Sequence, residues 1–193
     1  MKKFVYFLFA ILLLLIIIFA GRNIYKTVSE NIEKTLYPLP EEYLTSIKQY
    51  SSQYNVPIET ICAIINTESS FNPNAKSTAN AMGIMQLTEE TFLWLQFKAN
   101  EERKLDELYD YDTNIKYGTY LLSLLYEEFQ DWDTVFAAYN AGRGRVNSWL
   151  SDSDYSKNGK LINIPFEETK KYITKVNKAE QKYLNLYFLD KSE

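Results

Sequence analysis

Residues 58–73 read Ile58-Glu59-Thr60-Ile61-Cys62-Ala63-Ile64-Ile65-Asn66-Thr67-Glu68-Ser69-Ser70-Phe71-Asn72-Pro73. Ile61, Ile64, Ile65 and Glu68 recur at helical spacing, so they share one side of a helix. Pro57 suits the first turn of that helix, where its missing N–H is no loss, and Pro73 disfavours continuation. A carboxyl group on the apolar face, at the C-terminal end, is disfavoured as an anion by desolvation and by the negative end of the helix dipole. A pKa raised in this way is what a neutral general acid needs near pH 7. Most glutamates at helix ends are simply solvated, so Glu68 gains weight only from the rest of the chain.

The pattern around this stretch stays helical. From Glu41, the apolar positions Tyr43, Ile47, Tyr50 and Tyr54 are spaced as one helical face. Ile115, Gly118, Leu122, Leu125 and Phe129 mark another, in which Gly118 would admit a neighbouring helix closely. Thr134 to Asn140 reads as a further helix, and a last one follows Pro165 with Phe166, Ile173, Val176 and Tyr183. No run alternates with period two between hairpin turns, and there is no internal repeat. The domain is predicted to be all-α.

Every residue from Phe4 to Ala20 is apolar or aromatic, with Lys2-Lys3 before and Gly21-Arg22 after. A helix of about 17 residues lies at the short end of what crosses a bilayer. The expected organisation is a short cytoplasmic N-terminus over 1–3, a transmembrane signal-anchor helix over 4–20, a linker or stalk over 21–39, and a folded domain over 40–193. Lys2 and Lys3 favour a cytoplasmic N-terminus, which puts the domain outside the cell. The competing reading is a cleaved signal peptide; Ile18 and Ala20 supply only one of the two small residues that cleavage needs. A retained anchor is therefore preferred.

Composition removes several chemistries. The 193 residues include no histidine and one cysteine, Cys62, which excludes Ser-His-Asp and Cys-His catalysis, His-bound zinc and an internal disulfide. The formal charge of −4, without a dense basic stretch, argues against nucleic acid as a partner. Acid–base chemistry is left to carboxylates, lysines or tyrosines.

Residues 54–96, from Tyr-Asn-Val-Pro through Glu68-Ser69-Ser70-Phe71-Asn72-Pro73 and Gly83-Ile84-Met85-Gln86-Leu87-Thr88, resemble the catalytic core of soluble-lytic-transglycosylase-type (SLT) enzymes of the lysozyme-like superfamily. Asn114-Ile115 with Gly118, Tyr120 and Leu121 resembles that family's next helix. Ala137-Ala138-Tyr139-Asn140-Ala141-Gly142 resembles its Tyr-Asn-Ala-Gly motif, and Glu168-Thr169 with Tyr172 its closing segment. The likeness runs from residue 40 to about 180. Asn80 stands where glycine is usual, and asparagine tolerates positive φ. Arg143 replaces a frequent proline.

The resemblance implies a lysozyme-like helical domain that cleaves peptidoglycan glycan strands with no metal or cofactor. It implies that Glu68 protonates the glycosidic oxygen between N-acetylmuramic acid and N-acetylglucosamine. As a carboxylate Glu68 then takes the proton of the muramoyl 6-hydroxyl, which closes on C1 as a 1,6-anhydro ring. Ser69 and Gln86 would contact substrate or hold Glu68, and Tyr139 would orient it. Met85 would wall the groove and the Gln86 amide would meet sugar hydroxyl or acetamido groups, while Gly83, Asn114, Gly118, Asn140 and Gly142 would shape the frame. Glu168 and Tyr172 complete the candidate set; Glu168 also fits a solvated first-turn glutamate stabilised by the helix dipole. A muramidase using water on the same scaffold, and a non-catalytic wall-binding protein, are the alternatives.

Overall fold

The computed structural model describes residues 2–189, in two compact units, Met1–Tyr37 and Pro38–Glu193. The first is a single helix, α1 (Lys2–Leu36). Its 35 residues span about 52 Å at 1.5 Å per residue. Side chains such as Phe9, Leu12, Ile17 and Phe19 stand exposed along it, and by length and composition it can cross a membrane. The polar stretch expected as a stalk over 21–39 is helical as far as Leu36. Gly21 alone does not stop the helix, because the residues after it include good helix formers such as Lys26, Glu30, Glu33 and Lys34. The chain leaves the helix only where Pro38 disfavours helical backbone at Tyr37.

The second unit is helical throughout its core. It comprises α2 (Glu41–Tyr54), α3 (Ile58–Ser69), α4 (Glu89–Ala99), a 3₁₀ turn (Leu105–Tyr109), α5 (Tyr111–Phe129), α6 (Trp132–Ala141), α7 (Arg143–Leu150) and α8 (Glu167–Tyr183), which ends in a π turn (Leu184–Phe188). The extended structure among the described residues is slight: a hairpin of β1 (Ser156–Lys157) and β2 (Lys160–Leu161), and bridges joining Lys76, Met82 and Leu87.

Helix α3 is the centre of the domain, with residues 60–66 all buried. It packs chiefly on α8, α2 packs on α5, and α6 lies against both α5 and α8. The apolar spacing of α2 buries Tyr43, Ile47 and Tyr50, and Asn55 closes the helix in left-handed backbone at φ 53°. Starts are set by side-chain caps: Thr88, Asp110 and Asp131 each accept the backbone N–H three residues on, opening α4, α5 and α6. Burial of Ile173, Val176, Ala179 and Tyr183 fixes which side of α8 meets the core. Phe166 falls before α8 rather than on its buried face, and it meets Trp149 edge-on at 5.4 Å.

Helix α4 shows no apolar stripe because it is apolar on most sides. Phe92 and Leu95 are buried while Leu93 and Phe97 are exposed. Met82 and Leu87, from the loop that joins α3 to α4, cluster with Phe92, Leu95, Leu108 and Tyr117. That loop frames the site.

Candidate active site

Glu68 is carried to the edge of the core by Ile61, Ile64 and Ile65, which are fully buried on the same side of α3. Its carboxyl group is withdrawn from water, and this desolvation pushes its pKa up to about 7. Two groups on α8 oppose the shift. Tyr172 donates its hydroxyl to Glu68 Oε1 at 2.6 Å, and the Lys175 ammonium adds a favourable charge. Tyr172 and Lys175 lie three residues apart, so both face the end of α3.

A second tyrosine, Tyr139, comes from α6. Its hydroxyl donates to the Met85 carbonyl at 2.8 Å. Burial, reinforced by the Glu68 charge, holds both phenols well above the ordinary tyrosine range. Each therefore stays neutral and able to donate.

The loop leaves α3 through two successive residues at positive φ, Ser70 (51°) and Phe71 (65°), and then folds against α5. Asn114, fully buried on α5, organises it. The Asn114 Oδ1 accepts the Met85 N–H at 2.8 Å, while Nδ2 donates to the carbonyls of Met82 at 3.0 Å and Leu108 at 2.8 Å. Gly83 lies directly over this amide at φ 78°, where a Cβ would stand 2.1 Å from Asn114 Nδ2 and from the Leu108 oxygen. Gly118 makes the matching space below, where a Cβ would stand 2.4 Å from Met85 Sδ. Ser69 donates from Oγ to the Ile84 carbonyl at 2.7 Å, so the residue beside Glu68 is tied to the same loop.

The arrangement presents one carboxyl group whose pKa desolvation raises toward neutrality, braced by a neutral phenol and set beside a loop tied down by Asn114, Ser69 and Tyr139. Such a group can give a proton and take one back. Among the described residues no other carboxylate is bonded to Glu68, Tyr139 or Tyr172, and none of the acidic side chains cluster as a metal site would require. A cavity of about 360 Å³ opens beside Tyr139, with Trp94, Gly142 and Arg143 also on its wall.

Residues 45–162 match the family described as the transglycosylase SLT domain. This chain belongs to the SLT family. It is 31% identical over 170 residues to membrane-bound lytic murein transglycosylase C of Glaesserella parasuis serovar 5 (strain SH0165), a match covering 75% of this chain and 46% of that protein. It is 35% identical over 143 residues to soluble lytic murein transglycosylase of Escherichia coli (strain K12), covering 71% and 22% respectively. The chain thus spans less than half the length of these relatives. Among solved structures, the 70 kDa soluble lytic transglycosylase of Escherichia coli superposes with a TM-score of 0.70 at 31% identity, over 79% of this chain and 25% of that one. An inactive mutant of lytic transglycosylase Slt from Pseudomonas aeruginosa gives 0.69 at 28%, over 77% and 24%.

Within this SLT domain several candidate residues do other work than the sequence suggested. Tyr172, rather than Tyr139, holds the Glu68 carboxyl; Tyr139 holds the loop. Met85 is no groove wall but fully buried core. Gln86, at φ 52°, turns its amide nitrogen inward to the carbonyls of Ala75 at 3.1 Å and Gly83 at 2.8 Å. Asn140 accepts the Thr169 hydroxyl at 2.9 Å and so joins α6 to α8. Gly142 adopts φ 94° between α6 and α7, with open space where a Cβ would be. Glu168 is exposed, one turn before Tyr172 on the same side of α8. Lys175 belongs to no motif read in the sequence; its position one turn after Tyr172 was the signal that could have found it.

Proposed function

We propose that this chain is a membrane-anchored lytic transglycosylase of peptidoglycan. The observation that carries the reading is the carboxyl group of Glu68, raised to about 7 and bonded to Tyr172, with no second carboxylate bonded to it among the described residues. Ordinary glycosidases divide acid and base or nucleophile between two carboxyl groups. A lone group serves both roles if the acceptor is already part of the substrate. Glu68 protonates the glycosidic oxygen between N-acetylmuramic acid and N-acetylglucosamine. As carboxylate it then takes the proton of the muramoyl 6-hydroxyl, which attacks C1 and closes a 1,6-anhydro ring. The names of the relatives, lytic murein transglycosylases, support the same substrate.

Anchoring rests on α1 and on the membrane-bound relatives. With Lys2 and Lys3 on the cytoplasmic side, the SLT domain lies outside the cell, where its substrate is. Protease added to wall-stripped cells should remove the domain; full protection behind an intact membrane would contradict this orientation.

The chemical test is mass spectrometry of wall digested in ¹⁸O-labelled water. Transglycosylation gives muropeptides ending in 1,6-anhydromuramic acid, one water lighter than hydrolytic products and free of label. Labelled reducing ends as the main product would make the enzyme a muramidase, with Glu168 the first residue to examine as the group that positions water.

A further inference from the structure

We infer that Lys175 is a positioning residue for the acid–base work of Glu68, capping α3 at Thr67 and keeping a positive charge where the helix end opposes the carboxylate. The inference rests on the reading of Glu68 given above. Its geometry is specific. Lys175 Nζ donates to the Thr67 carbonyl at 3.0 Å. That carbonyl is one of the last in α3, a helix ending at Ser69, where carbonyls lack partners within the helix and gather the negative end of its dipole. Glu68 is the next residue, so the dipole and desolvation both act against its anion.

A group that must be neutral for the first proton transfer and anionic for the second works best when its two forms are nearly balanced. Desolvation alone favours the neutral form. The groups facing Glu68 are Tyr139 from α6, and Tyr172 and Lys175 from α8, with exposed Glu168 one turn before Tyr172. Both tyrosines stay neutral throughout the working range, and Glu168 can only add to the opposition. Lys175 is the one cation among the described residues whose charge restores the balance. It is itself exposed, so its influence should be modest and sensitive to salt.

The test uses the full chain in detergent micelles, labelled with ¹³C at glutamate carboxyls, the Glu68 signal being assigned by its loss in Glu68→Gln. Lys175→Met keeps most of the apolar stem and removes the charge. Its Glu68 titration midpoint should rise by about half a pH unit, the alkaline limb of kcat/KM should move with it, and Lys175→Arg should restore both. A merely structural role would lower Tm and leave the midpoint where it was. In the parent protein, raising salt from low to high should move the midpoint upward, and this salt effect should shrink in Lys175→Met. Should the substituted protein not fold, the parent's salt response decides, and a midpoint indifferent to salt overturns the inference. An unmoved midpoint in folded Lys175→Met also overturns it. Loss of the proposed function is distinguishable: a parent enzyme that cleaves wall independently of Glu68 refutes that reading, whereas the midpoint reports on Lys175 directly.

Discussion

The Tyr172 hydroxyl meets Glu68 Oε1 at 2.6 Å across 104 positions of sequence, while Tyr139, from the motif that looked the stronger candidate, bonds to the Met85 carbonyl instead. The two phenols therefore separate into one that acts on the acid and one that acts on the loop.

Their phenylalanine variants should separate in the same way. Tyr172→Phe deletes a hydrogen bond that favours the anion, so the Glu68 pKa rises and the alkaline limb of kcat/KM shifts to higher pH. A hydrogen bond to a charged group is worth about 1.5–3 kcal/mol, so turnover dependent on the carboxylate should fall by about 10-fold or more. Tyr139→Phe should lower stability by about 1 kcal/mol and leave the pH profile nearly in place. Profiles of both variants on one wall preparation check this; equal shifts would remove the distinction.

Asn114 makes three buried hydrogen bonds to the loop. Asn114→Ala leaves the Met85 N–H and the Leu108 carbonyl unpaired, each at a cost of about 1–3 kcal/mol, while the Met82 carbonyl keeps the Leu87 N–H. The sum is enough to lower Tm by about 10 °C in a domain of this size. Because the loop frames Glu68, activity should fall even below the transition. Thermal unfolding followed by circular dichroism measures the first effect, and assays well below Tm the second.

The two glycines around that amide should not be equally tolerant. In Gly83→Ala the new methyl meets the Leu108 backbone oxygen and Asn114 Nδ2, at positive φ, and neither neighbour can move away. In Gly118→Ala the nearest atom is Met85 Sδ, within a flexible side chain that can re-pack at a cost of about 1–3 kcal/mol. Gly83→Ala should therefore express poorly or unfold, while Gly118→Ala folds with a reduced Tm. The reverse order in parallel purifications would contradict the packing described.

Much of this was legible from side-chain spacing. The stripe Ile61, Ile64, Ile65 and Glu68 reports α3, its buried face and the acid on it, because one helix carries all of that information. The role of Asn114 could not be read that way, since two of its three partners lie 29 and 32 residues away and only the folded loop brings them together. The exchange of roles between Tyr139 and Tyr172 has the same cause: each arrives from a different helix, and spacing within a helix does not say which hydroxyl reaches the carboxyl. Helix α4 escaped notice because apolar residues on most sides erase its period. The helical stretch from Gly21 to Leu36 was hidden by polar composition, which suits a solvated helix as well as a flexible stalk.

Glu68 also links function to stability. Its folded pKa of about 7 lies above the ordinary glutamate value of 4.5, so the native state binds a proton more tightly than the unfolded chain does. The stability associated with that proton is fully present below about pH 4.5 and is lost as pH rises through 7. Glu68→Gln keeps the shape and the neutral form at every pH. It should abolish turnover by about 10² to 10⁴-fold, the usual worth of a general acid. Its Tm should match the parent near pH 4 and exceed it at pH 8, by an amount on the order of 2 kcal/mol in stability. Paired unfolding curves of parent and variant at the two pH values decide the matter. A variant no more stable than the parent at pH 8 would mean that the carboxyl is better solvated than its burial beside Tyr172 implies, and the case for Glu68 as an acid poised near neutrality would fail with it.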